Sequence, residues 1–180
     1  MKKDMTIPSD EIISITKKFS QNKYKAIFES VLWIKNNLEK IDYNRNIFRK
    51  RDASEIVKSR EVMGCSDIAL VFISFMRALD IKASYMETIS EGTLVDLIKY
   101  PNKKDIPVAG HIFVRVEIDD IPMIVDPTAS QILLRSDLPA PSMFPDSVLI
   151  GEGKDFVSLD IDSVDKIRKH TKEFIRKVVK

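Results

Sequence analysis

The chain has 180 residues, with one cysteine, two histidines and one tryptophan, and its 29 basic and 27 acidic side chains leave a formal charge of +2. A lone Cys65 excludes an internal disulfide framework, and one Cys with two His cannot supply a four-ligand Cys/His zinc site. Near-neutrality calls for neither a nucleic-acid nor a membrane partner, and 44 % apolar and 31 % charged residues suit one globular domain over residues 1–180.

The basic groups at Arg45 and Arg49 to Arg51, and in residues 161–180, read as solvated faces. Lys2 and Lys3 are followed by Asp4, with no apolar run before Asp10, so no targeting signal is expected. The longest apolar stretch, Ile68 to Met76, is broken at Ser74 and falls far short of the ~20 residues of a membrane span. A cytoplasmic location is the expectation, and a free thiol fits it.

Ser9 is placed to cap a first helix with Ile12, Ile15 and Phe19 on one face. A second helix is predicted from Gln21 to Glu39, with Tyr24, Phe28, Val31, Leu32, Lys35 and Leu38 as its inner face. Residues 41–52 have no period and read as a loop, and a short helix is expected from Ala53 to Arg60. After Gly64 and Cys65, the run Ser66 to Leu79 is apolar nearly all round. It is too long for an ordinary strand and is predicted as a buried central helix.

Strand character begins at Ile81 and runs to Ile89. Residues 91–108, with Gly92, Pro101 and Pro107, are predicted as a long loop that walls a cleft. His111 to Ile118 alternates strictly, Asp119 and Asp120 suit a two-residue turn, and Ile121 to Asp126 returns as the partner strand. Pro122 demands an edge or a bulge there. Pro139, Pro141 and Pro145 make residues 136–147 irregular. A last helix is expected from Asp162 or Ser163, with Val164, Ile167, Phe174, Ile175 and Val178 inward and His170 solvated.

Cys65, His111 and Asp126 are the residues with chemistry to offer. Cys65 stands at a helix N-terminus, where unpaired N–H groups and the helix dipole favour a thiolate over a thiol. Its bland alternative is a small buried hydrophobe. With a two-residue turn at 119–120, residue 113 faces residue 126, and His111 and Asp126 become diagonal neighbours on one sheet face, within side-chain reach. A carboxylate can then hold one imidazole nitrogen and leave the other as a base. Asp67 reads as a cap or salt-bridge partner, and Met63 and Met76 as core fillers. Glu61, Asp105, Asp119 and Asp120 form no metal cage, and Gly151 to Lys154 lacks the spacing of a phosphate loop. No cofactor is expected.

Three blocks carry a family resemblance. Gly64-Cys65-Ser66-Asp67-Ile68-Ala69, followed by Arg77-Ala78-Leu79-Asp80-Ile81-Lys82-Ala83, resembles the core motif of the transglutaminase-like superfamily. Gly110-His111-Ile112-Phe113-Val114-Arg115-Val116 resembles its second block, and Val125-Asp126-Pro127-Thr128 its third. The match spans about residues 53–128. It implies an α+β, papain-like fold, a catalytic helix packed on an antiparallel sheet, with N-terminal and C-terminal helices. It also implies Cys65 as nucleophile, His111 as general base and acid, and Asp126 as orienter. Asp80 stands where the family has Gly and requires a left-handed backbone there, which Asp tolerates. Phe113 replaces a common Trp, and Arg115 a common Glu. The family's second oxyanion donor comes from upstream of the cysteine; here Tyr43, Asn44 and Asn46 are the candidates.

The implied function is thiol-dependent hydrolysis of an amide bond in a peptide, protein or small amide, through a thioester. Acyl transfer from protein glutamine to an amine is the enzymatic alternative, and a catalytically silent protein-binding module the third. Substrate identity and oligomeric state leave no sequence signal.

Overall fold

The computed structural model describes residues 3–103, 106–133 and 146–178. The proline-rich segment expected to be irregular lies, through residue 145, outside the described residues. The described part is α+β, with six helices and an antiparallel five-stranded sheet.

Helix α1 (Asp10–Thr16) begins as expected, with the Ser9 side chain accepting the Ile12 N–H. Helix α2 (Lys23–Asn37) is capped by Asn22 and turns a different face inward from the one predicted. Ala26, Ile27, Ser30, Val31 and Ile34 are buried, whereas Tyr24, Phe28 and Leu32 are exposed. Two apolar stripes competed along this helix, and they share only Val31. The buried stripe is the one carrying the small Ala26 and Ser30, with the Ser30 hydroxyl turned back onto the Ala26 carbonyl, and α2 packs on the central helix.

A two-residue strand, β1 (Glu39–Lys40), pairs in parallel with β2 (Glu61–Val62). Helix α3 (Ala53–Ser59) lies between them, opened by a reciprocal Asp52–Glu55 capping box and closed by left-handed Arg60. Helix α4 (Cys65–Ala78) is the predicted central helix, and every residue from Ala69 to Met76 is buried. It packs against α1, α2 and α3 and against the sheet. Asp80 follows it with φ 54°, the left-handed geometry expected at that position.

Strand β3 (Lys82–Ser90) leads into a helix, α5 (Glu91–Lys99), where a loop was predicted. Ser90 caps α5 by accepting the Thr93 N–H, and Thr93 and Leu97 turn inward. Gly92 had read as a break, but it falls in the first turn, where helix hydrogen bonding through its N–H is not yet required. Strands β4 (Ile112–Ile118), β5 (Ile121–Asp126), β6 (Gln131–Leu133) and β7 (Ser147–Gly153) complete the sheet in the order β6-β5-β4-β3-β7. Ile118 faces Ile121 across Asp119 and Asp120, whose φ values of 51° and 62° give the turn a hand that matches strand twist. Among the described residues β6 pairs β5 from Ile124 to Asp126, and Pro122 lies outside that stretch.

Helix α6 (Val164–Val178) buries Ile167 and Thr171, with Phe174 and Ile175 half-buried. Val178, predicted inward, is exposed in the last turn. His170, predicted to be solvated, has Nε2 2.9 Å from the Ile150 carbonyl oxygen of β7. The main core joins α4 to Tyr85, to Ile112, Val114, Val116 and Ile118 of β4, and to Met123 and Val125 of β5. Among the described residues no helix is long and apolar enough to cross a membrane.

Phe72 has no exposed surface at the centre of α4. Phe72→Ala is expected to destabilise the protein by about 3–5 kcal/mol, read from urea unfolding. A loss under 1 kcal/mol would contradict the enclosed position of the helix.

Candidate functional site

The fold brings together three side chains from three elements, α4, the entry of β4, and β5. Cys65 is the first residue of α4, half-buried and packed at the edge of the core. Its backbone N–H lies in the first turn, where no intrahelical acceptor exists. Asp67 secures this turn: its Oδ2 accepts from the Met63 N–H at 3.0 Å and from Arg51 at 2.7 Å.

His111 enters β4 directly after Gly110. A Cβ at residue 110 would collide with the Thr88 carbonyl oxygen, so this approach requires glycine. Thr88 holds the His111 backbone from both sides. Its N–H and hydroxyl donate to the His111 carbonyl at 3.0 and 2.9 Å, and its Oγ1 accepts the His111 N–H at 3.3 Å. The ring stands edge-on to Phe113 at 4.9 Å. Phe113 thus braces the imidazole.

Asp126 ends β5. The hairpin register pairs Val114 with Val125, which puts His111 and Asp126 on one face as the turn arithmetic required. Asp126 Oδ2 is 2.8 Å from His111 Nε2, while its Oδ1 accepts the Thr128 and Ala129 N–H groups at 3.0 Å each. The carboxylate is therefore held by its own turn before it meets the ring. With Nε2 turned to Asp126, Nδ1 is the nitrogen left for a second partner, and Cys65 is the other side chain whose proximity raises His111.

The electrostatics follow from these contacts. The Asp126 hydrogen bond, then the neighbouring Cys65 side chain, push His111 up from 6.5 to about 10, outweighing partial burial. Burial pushes Asp126 up, but the His111, Ala129 and Thr128 hydrogen bonds outweigh it and hold the carboxyl below its ordinary value. The ring is thus cationic at neutral pH.

A second polar group adjoins Cys65 and was not foreseen. Arg49 carries its guanidinium into the interior, where Nη2 contacts both Glu87 carboxylate oxygens at 2.8 Å and Nη1 donates to the Ile161 carbonyl at 2.7 Å. Both side chains are 4 % exposed. Tyr85 donates its hydroxyl to Glu87 Oε2 at 3.1 Å and lies 3.2 Å from the Ser66 hydroxyl. A chain of polar contacts thus runs from the residue beside Cys65 to the 41–52 loop. Burial raises the Glu87 carboxyl despite Arg49, and it raises the Tyr85 phenol further. Arg49 had read as part of a solvated basic group. A lone Arg in a basic cluster carries no mark of burial; its ion partner 38 residues away supplies that.

A cavity of about 190 Å³ opens beside Cys65, lined by Tyr43, Phe48, Arg49, Met63, Glu87 and Val164 among others. Met63, predicted as core filler, lines this cavity, whereas Met76 is fully buried as expected. Of the three upstream donor candidates, Tyr43 shares the cavity with Cys65. Asn44 Oδ1 accepts the Asn46 N–H, and Asn46 lines a neighbouring hollow. Among the described residues no cluster of three or more His, Cys, Asp or Glu side chains is placed to hold a metal ion.

No family model matches the chain, and no curated protein matches it. Its fold is similar to a crystal structure named as a putative cysteine protease from Cytophaga hutchinsonii, with a TM-score of 0.58 and 22 % identity. The similarity covers 87 % of this chain and 48 % of that one, so the chain spans about half that protein's length.

Two expectations follow from the site. His111 rises from 6.5 to about 10 on folding, so its stabilising contribution is full below 6.5 and lost as pH climbs through 10. Asp126 lies below its ordinary 3.8, so its contribution holds above 3.8 and fades as pH falls through the lowered value. The stability gap between wild type and His111→Gln should therefore shrink between pH 6 and pH 10 in urea unfolding; a constant gap would contradict the charged pair. For the buried pair, Arg49→Met strands the Glu87 carboxylate and is expected to cost about 3–5 kcal/mol. Arg49→Met with Glu87→Leu should cost less than the single change, measured in the same assay.

Proposed function

We propose that this protein is a thiol hydrolase of amide bonds, a cysteine peptidase or amidase of transglutaminase-like, papain-like type. The observation that carries the reading is the position of His111, held by Asp126 through Nε2 at 2.8 Å with Cys65 as its other electrostatic neighbour. The fold similarity to a protein named as a cysteine protease supports it.

In this reading the Cys65 sulfur attacks the amide carbonyl carbon. The carbonyl oxygen becomes an oxyanion facing the free Cys65 N–H, with the Tyr43 hydroxyl as the second donor. Collapse breaks the C–N bond, His111 gives its proton to the departing amine, and a thioester remains on Cys65. Neutral His111 then takes a proton from water, whose oxygen attacks the thioester and releases the acid and the thiolate. Asp126 keeps Nε2 engaged throughout, so that Nδ1 stays directed at the reacting atoms. A substrate peptide or protein fits this chemistry.

Cys65→Ala should abolish hydrolysis of a peptide library with the fold intact by circular dichroism. His111→Ala is expected to slow hydrolysis by several orders of magnitude, and Tyr43→Phe by roughly 10²–10³-fold in kcat. Native Cys65 should be alkylated by iodoacetamide at pH 6 faster than an unfolded thiol of pKa ~8.5. Equal alkylation rates, or full activity in either triad variant, would overturn the reading. A labelled amine added to the assay separates hydrolysis, which leaves it free, from acyl transfer, which consumes it.

A further inference from the structure

The cavity beside Cys65 combines two kinds of lining. Phe48, Val108, Ile112 and Val164 make apolar walls, and Arg49, Glu87 and Asp67 are its buried charged groups. Its volume of about 190 Å³ exceeds the ~150 Å³ in which a dry apolar cavity accepts a benzene ring. Arg49 and Glu87 cancel across 2.8 Å contacts, Asp67 is paired with Arg51 at 2.7 Å, and Arg49 is further committed to the Ile161 carbonyl. An entering carboxylate would meet Glu87 and an entering ammonium would meet Arg49, each losing its water without an unmatched opposite charge to replace it. An apolar group loses nothing of that kind and gains the walls.

On the thiol-hydrolase reading, we propose that this cavity receives the side chain of a substrate residue adjoining the attacked amide, and that it selects an uncharged side chain of aromatic or large aliphatic size. Position supports this: the same cavity is lined by Cys65 and by Gly64 before it, so a side chain seated there holds its own backbone close to the sulfur. Arg49 acts on this selection in two ways. It neutralises Glu87, and its anchoring to β3 fixes the 41–52 loop, which contributes the Phe48 wall.

Binding tests the pocket without turnover. The Cys65→Ala protein is titrated with the Nα-acetyl amides of phenylalanine, leucine, aspartate and lysine, followed by NMR of the Ile112, Val164 and Ile167 methyls. The phenylalanine and leucine amides should shift those methyls and bind roughly tenfold or more tightly than the charged pair. Val164→Phe, which fills the cavity from the start of α6, should abolish that binding with methyl dispersion retained. Glu87→Gln leaves Arg49 unopposed and should move the preference toward the aspartate amide. Equal binding of all four amides, shifts confined to other methyls, or unchanged phenylalanine binding in Val164→Phe would overturn the pocket. Slow alkylation of native Cys65 alongside selective binding would sink the hydrolase reading and leave the pocket standing. Fast alkylation without selective binding would do the reverse.

Discussion

Helix α4 is apolar on nearly every side, and a helix of that kind must be enclosed on every side. The sheet closes one flank, and α1, α2 and α3 close the others. This requirement fixes where the first turn of α4 can lie. Cys65 emerges at the rim of the enclosed volume, half-buried, with β3 and β4 passing beside it. The accessible end of the most buried element is therefore the place where a reactive group can be both rigidly held and reached.

The β4–β5 hairpin supplies the rest of the site by counting residues. A two-residue turn pairs Ile118 with Ile121, and the period of two carries that alignment back to the far end of the hairpin. A slip of one residue at the turn would send Asp126 to the opposite sheet face and away from His111. Asp119 and Asp120 accept the left-handed geometry this turn needs, so their role is to set the register of the site. Next to it, Gly110 and Thr88 fix the backbone of His111, and the β3–β7 pairing shifts register between Glu87 and Thr88. Bulges of this kind are a common means of re-aiming side chains near a site.

Arg49 and Glu87 give the interior beside Cys65 a polar group that the core alone would not contain. A buried ion pair is weak evidence for stability, because both charges lose their water. What it supplies here is position: one loop is tied to β3 and to the Ile161 carbonyl by a side chain that has nowhere else to go. Tyr85 and Ser66 extend that tie to the residue next to Cys65. The loop bearing Tyr43 and Phe48 and the helix bearing Cys65 thus share one set of fixed polar contacts.

Much of the fold was legible along the chain, because local patterns dictate it. The all-apolar run announced α4, alternation announced β4, and Ser9 marked a helix start. The inner face of α2 was not legible, since two apolar stripes had similar local merit and only close packing against α4 chose the one with Ala26 and Ser30. Helix α5 was hidden by a Gly92 that the first turn tolerates. Scarcity did the most at the site: with one cysteine, and one histidine placed in a strand, Cys65, His111 and Asp126 were the residues to name from sequence alone. The distance between His111 and Asp126, the choice of Nε2, the burial of Arg49 against Glu87 and the cavity beside Cys65 were decided only by the tertiary structure. Each depends on groups far apart in sequence being brought within a few ångströms, and a one-dimensional pattern carries no term for that.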